Sequence, residues 1–268
     1  FQGGIVPSYA IIIREHFDPQ EAGARVGSVI MATLVGMALG LPILWLVLWL
    51  MQAGGALWWF YAWLVWSGFQ LLMMVLAPTY IMPLFNKFVP LADESLKARI
   101  EGLMQRVGFA SKGLFVMDGS KRSGHANAYF TGFGAAKRVV FYDTLLAKLS
   151  AAEVDAVLAH ELGHFKHKHV IKRIVSMFAM SLLGFALLGW LSSQTWFYIG
   201  LGVIPNLRGA NDALALLLFM MVLPLFSTFI DPVMAQFSRK HEFEADAYAV
   251  AQTSGADLSS ALLKLYKD

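Results

Sequence analysis

The run His160-Glu161-Leu162-Gly163-His164 places two imidazoles four residues apart with a carboxylate between them. Residues i and i+4 of a helix share a face, so both imidazoles can converge on one tetrahedral metal while Glu161 is directed at a water in the open position. A metal so held lowers the pKa of its bound water to about 7 and polarises a scissile carbonyl, and the carboxylate can take the water proton and pass it to a leaving amine. From the chain's own His and Glu frequencies, roughly 0.005 such motifs are expected by chance. The chain contains no cysteine, so disulfides and thiol catalysis are excluded and a third metal ligand must be His, Glu or Asp.

The best source of that ligand is His241-Glu242-Phe243-Glu244-Ala245-Asp246. Glu242 and Asp246 are four apart, so one helical face can present one carboxylate to the metal and the other to the free nitrogen of a ligating imidazole. Glu244 points about 160° away from that face and is assigned to solvent or a salt bridge. His167 and His169, in the basic stretch after the motif, read as a solvated juxtamembrane face rather than as further ligands.

The elements that must position these residues are largely membrane-embedded. The chain is 57% hydrophobic and only 15% charged, with mean hydropathy +0.58, too apolar for an ordinary soluble domain of 268 residues. Four stretches can cross a hydrocarbon layer about 30 Å thick: near Val26 to Met51, Ala56 to Ala77, Ile174 to Leu191 and Ala213 to Met234. Tryptophans crowd the second and end the first, as expected near an interface. The net charge of +3 comes with no interleaved basic and aromatic run, so nucleic acid is set aside as a partner. Of the 21 Lys and Arg residues, 14 lie in 78–173, which places that segment on the cytoplasmic side. Two further crossings return the segment around Glu242 to the same side as His160.

Between the second and third spans the pattern is that of a small α+β unit. Leu91 to Val107 has helical spacing, whereas Gly113 to Met117, Ala126 to Thr131 and Arg138 to Tyr142 have strand composition, with Gly132-Phe133-Gly134 as a turn. The metal-binding helix starts at Ser150, with Glu153 three residues on in the capping-box pattern. The expected fold is therefore a mostly α polytopic membrane protein of four or more transmembrane helices with a small cytoplasmic α+β domain. Its segments are 1–25 (juxtamembrane), 26–77 (transmembrane hairpin), 78–173 (catalytic domain), 174–234 (second hairpin) and 235–268 (cytoplasmic helix).

Four stretches carry a resemblance: Pro78 to Phe88, Asp118 to Phe130, the HELGH motif, and Ser238 to Asp246. In this order they resemble the type-1 CAAX prenyl proteases, integral-membrane zinc metalloendopeptidases, over most of the chain from about Leu71 onward. The resemblance implies one Zn2+ held by His160, His164 and Glu242, with Glu161 as general base and Asp246 supporting the site. It also implies that the Asn-Ala-Tyr stretch lines the cleft, so that His125, Asn127, Ala128 and Tyr129 are expected to bind substrate. The family fold is a helical membrane barrel around a large chamber, with seven spans in eukaryotic members. The four spans here and the weak match before Val26 lead us to expect that amino-terminal spans are absent. Family members continue past the position of Asp268 into a His-Pro-Pro stretch.

The expected partners are a peptide or protein substrate, prenylated or membrane-inserted, and membrane lipid. The expected location is a bacterial inner membrane with the active site facing the cytoplasm. A quality-control protease acting on misfolded proteins and a catalytically silent metal-binding scaffold are the alternatives. A transporter is disfavoured because Asp231 is the one clear ionisable residue within a span.

Overall fold

A computed structural model of the chain describes residues 36–38, 40–121, 127–131, 138–207 and 209–266. Four of its helices are long and apolar enough to cross a membrane: α1 (Gly36–Ala53), α2 (Gly55–Phe85), α6 (His169–Leu191) and α8 (Asp212–Gln252). The amino-terminal part of the span predicted from Val26 lies outside the described residues. The last predicted span, Ala213 to Met234, is the first half of α8, which runs through Pro224 and Pro232 without ending. Within the helix Ser227 Oγ donates to the Pro224 carbonyl at 2.9 Å and Thr228 Oγ1 to that of Leu225 at 2.7 Å. The segment carrying Glu242 is thus a continuation of a span and not a separate helix.

The chain divides into two compact units, residues 1–70 with Ser181–Met220 and Leu71–Met180 with Met221–Asp268. In the first, Val47 and Met51 of α1, Trp58 and Ala62 of α2, and Leu188 and Leu191 of α6 share a core with Phe197 and Tyr198 of a short helix α7 (Thr195–Gly200) and with Ala215 and Leu218 of α8. Around this narrow core the span surfaces remain apolar: Leu41, Leu64, Leu183 and Leu217 are all exposed, as lipid-facing side chains should be. Trp63 Nε1 donates to Ser181 Oγ at 3.1 Å, a polar contact between two spans.

The second unit is built around a four-stranded sheet of β1 (Phe88–Pro90), β2 (Leu114–Met117), β3 (Ala128–Thr131) and β4 (Arg138–Tyr142). The strand order is β1-β2-β4-β3, with β2 and β4 parallel and the two outer pairings antiparallel. The three-residue β1, ending in a proline, was not expected from the sequence; so short a strand fits only at an edge. The turn predicted at Gly132-Phe133-Gly134 lies outside the described residues. Helices α3 (Glu94–Arg106), α4 (Asp143–Lys148), α5 (Ala151–Lys166) and α9 (Gly255–Tyr266) complete the unit. Its core joins Ile100 and Leu103 of α3, Val139 and Phe141 of β4, Val154, Leu158 and Leu162 of α5, and Ala249 of α8, all nearly sealed from solvent. Each such aliphatic side chain, fully buried, is worth about 1.5–3 kcal/mol.

Candidate metal centre

The residues of α5 explain how the HELGH motif is presented. Ser150 caps its start and Glu153 completes the capping box, the Glu153 carboxylate accepting from the Ser150 backbone N–H at 2.7 Å. The same carboxylate accepts from Ser260 Oγ at 2.6 Å and Lys264 Nζ at 2.7 Å, so it also ties α5 to α9. These donors, Lys264 foremost, pull the Glu153 carboxyl down to about 2. Val154, Leu158 and Leu162 form one buried row on the helix. His160 and His164 stand about 160° round from Leu162, on the opposite side.

That opposite side meets α8. A Cβ on Gly163 would lie 2.9 Å from the Cα of Ala245 and 3.1 Å from its carbonyl oxygen, so α5 and α8 touch backbone to backbone at this point. Only glycine permits such an approach. With Ala245 fully buried against Gly163, the residues flanking it on α8, Glu242 and Asp246, are brought alongside the imidazoles.

The resulting geometry is compact. His160 Nε2 and His164 Nε2 are 3.2 Å apart, and Glu242 Oε2 lies 3.4 Å from the first and 3.5 Å from the second. Ligands at about 2.0–2.1 Å from a tetrahedral zinc are about 3.3–3.4 Å from one another, the size of this triangle. The donor chemistry agrees with the dimensions. His160 Nδ1 faces Asp246 Oδ1 at 2.8 Å, and an ionised carboxylate only accepts, so Nδ1 carries the proton and Nε2 presents a lone pair. Burial, followed by the neighbouring His160, holds His164 below its ordinary pKa and so favours the neutral imidazole that a metal requires. Burial pushes the Glu161 carboxyl above its usual range; His160 acts against the rise and Glu242 adds to it.

The structure thus brings His160, Glu161, His164, Glu242 and Asp246 into one site. His125 lies outside the described residues. Asn127 turns on its own strand end, its Oδ1 accepting from the Ala128 N–H at 2.8 Å and its carbonyl from the Tyr142 N–H at 2.9 Å. Ala128 is buried opposite Phe141, and α5 packs beside β3. Tyr129 has its phenol pushed up to about 12, first by burial and then by Tyr142, and it lines a cavity of about 920 Å3 with Lys87, Phe115 and Arg138.

One residue departs from the sequence reading. His169 is not a solvated basic side chain: it is 4% exposed and hydrogen-bonded between His164 and Glu244. Glu244 makes a weak ion pair with Lys240, but its shorter contact is this bond to His169. Nothing in the local spacing foretells either contact, because they join residues on α5, α6 and α8.

A two-histidine, one-carboxylate triangle beside a glutamate on a capped helix, in a protein with membrane spans, defines a metallopeptidase-like site. Residues 90–267 match the family model described as peptidase family M48, and residues 10–87 match that of the CAAX prenyl protease N-terminal region, five membrane helices. The chain belongs to peptidase family M48 and is an integral membrane protein. The amino-terminal match reaches back beyond Val26, where the first span was expected to begin. Among its relatives, the CAAX prenyl protease 1 homolog of Dictyostelium discoideum is 40% identical over 82% of this chain and 52% of its own length. The CAAX prenyl protease 1 of Saccharomyces cerevisiae is 39% identical over 73% and 46%, and the Homo sapiens homolog 31% identical over 97% and 62%. The crystal structure of S. mikatae Ste24p aligns with TM-score 0.81 at 35% identity, covering 90% of this chain and 58% of that one. The fold is therefore the one seen in Ste24p, and the chain spans about half to three fifths of the length of these relatives.

Proposed function

We propose that this chain is a membrane-embedded zinc endopeptidase in which His160, His164 and Glu242 hold one Zn2+, Glu161 is the general base and Asp246 positions His160. The observation that carries the reading is the triangle of two imidazole nitrogens and one carboxylate oxygen, 3.2 to 3.5 Å on its sides, with Glu161 on the same helix. Zinc, when bound, supplies polarisation of the scissile carbonyl and acidification of the attacking water. Glu161 accepts the water proton at its carboxylate and delivers it to the departing amine. Asp246, accepting from His160 Nδ1, keeps that ring from turning away.

The outer edge of β3 pairs with no strand among the described residues, and α5 packs beside it. An extended peptide can add there by backbone hydrogen bonds. Since Asn127 Oδ1 is engaged by the Ala128 N–H and Ala128 is buried, these two act through their backbone, and His125 and Tyr129 are assigned to the same substrate-binding stretch. Relatives named CAAX prenyl protease support a prenylated peptide as the substrate. The basic residues of 78–173 support a catalytic segment on the cytoplasmic face. The absence of cysteine from the sequence suits a bacterial inner membrane.

The test compares wild type with Glu161→Gln in lipid nanodiscs, measuring zinc per chain and cleavage of matched farnesylated and unprenylated peptides. The variant should keep its zinc and lose about 10²–10⁴-fold in rate. Wild-type turnover by the variant, or zinc binding without cleavage by the wild type, would overturn the assignment. Cleavage of unfolded membrane proteins beside an intact farnesylated peptide would transfer it to a quality-control protease.

A further inference from the structure

We propose that His169 and Glu244 are positioning residues that fix His164 in the tautomer whose Nε2 lone pair faces the metal. The proposal rests on the reading of the site given above. Glu244 Oε2 lies 2.9 Å from His169 Nε2, and His169 Nδ1 lies 2.9 Å from His164 Nδ1. An ionised carboxylate can only accept, so His169 Nε2 carries a proton and donates it. In the neutral ring Nδ1 is then an acceptor, and the proton between the two imidazoles belongs to His164 Nδ1. That leaves His164 Nε2 with a lone pair, 3.2 Å from His160 Nε2 and 3.5 Å from Glu242 Oε2. Both ligating imidazoles thus end on a carboxylate of α8: His160 directly on Asp246, His164 through one intervening imidazole on Glu244.

The backbone is shaped to allow this. On an uninterrupted helix His169 would stand about 140° round from His164 and could not reach it. Lys168 breaks the helix with φ 56, the one non-glycine residue with positive φ among the described residues. A left-handed lysine is unfavourable and persists only where its surroundings hold it. Its N–H donates to the Phe165 carbonyl at 3.1 Å, closing α5, and the chain re-enters α6 with His169 turned back onto His164. The His169 ring lies between two others, stacked on His241 at 4.1 Å and 17° and on His167 at 5.4 Å and 14°. It is nearly sealed from solvent, whereas the Glu244 carboxylate it donates to is partly exposed.

His167, His169 and Glu244 also offer three donor atoms within 4.8 Å of one another, so a second cation is the competing reading. Both nitrogens of His169 are already engaged, Nδ1 with His164 and Nε2 with Glu244.

The experiment uses the full chain in detergent or nanodiscs and measures zinc stoichiometry, zinc dissociation constant by chelator competition, and the visible spectrum of the cobalt-substituted protein. His169→Ala and Glu244→Leu should each weaken zinc binding about 10–100-fold and alter the cobalt spectrum. Glu244→Gln retains an acceptor and should lose less than Glu244→Leu. His169→Asn, whose amide oxygen can take the place of Nδ1, should recover much of the affinity lost in His169→Ala. The metal-free thermal midpoint separates folding from positioning. If it falls in the variants while affinity and spectrum match the wild type, the role is structural and the proposal fails. Two zinc ions per wild-type chain, one of them lost in Glu244→Leu, would also overturn it in favour of a second cation site. If the wild type binds no zinc at all, the failure belongs to the functional reading instead.

Discussion

Both units of the molecule bring helices together over a glycine, with different consequences. In the unit holding residues 181–220 a Cβ on Gly189 would lie 2.8 Å from two ring carbons of Trp59 and 2.9 Å from its Cβ, so the contact is with a side chain. In the sheet-containing unit the obstacle at Gly163 is the Ala245 backbone itself. Rotation can move the indole ring but not its Cβ, so the two glycines differ chiefly in which helix they touch, and the one met by Gly163 carries Glu242 and Asp246. The first glycine sets how tightly spans pack. The second sets whether three donor atoms stay within one metal's reach.

The units differ equally in where their apolar side chains point. The catalytic unit hides Ile100, Leu103 and Phe141 in an interior, while the spans expose Leu183 and Leu217 outward. Hydrophobicity alone therefore does not predict the cost of truncation. Ile100→Ala should lower unfolding stability by about 2–5 kcal/mol, read from the thermal midpoint of the purified chain in nanodiscs. Gly163→Ala should cost about 1–3 kcal/mol through overpacking, and zinc affinity should fall with it. Gly189→Ala should leave zinc affinity unchanged, and equal zinc loss in the two glycine variants would erase the contrast drawn here.

A smaller effect is expected at the link between α5 and α9. Glu153 titrates lower in the folded chain than in the unfolded one, so its contribution is complete above the ordinary glutamate pKa near 4.5 and is lost as pH falls toward about 2. Wild type should accordingly exceed Glu153→Gln in thermal midpoint at pH 6, and the two should converge as pH is lowered through that window. Parallel curves would show that the carboxylate contributes no charge-dependent stability. Leu183→Ala, at an exposed span position, should change stability by no more than about 0.5 kcal/mol.

What the sequence disclosed follows the range of the interactions. HELGH and the Ser150–Glu153 capping box are local, their partners three or four residues apart, and periodicity exposes them. Glu242 and Asp246 were legible because they too are four apart and because counting crossings returns them to the side of His160. The His169–Glu244 contact joins residues 75 apart and depends on a left-handed lysine, which no spacing rule announces. The continuity of α8 beyond Met234 was not read from the sequence, because the apolar run gives way there to Arg239 and Lys240, yet the helix continues to Gln252.

The most direct measurement is zinc content of the purified chain carrying Glu242→Ala, set beside wild type and Glu161→Gln under one dialysis condition. One zinc per chain in the wild type and in Glu161→Gln, with loss of most of it in Glu242→Ala, is the predicted result. Retention of a full zinc complement by Glu242→Ala would contradict the claim that α5 and α8 together hold the ion.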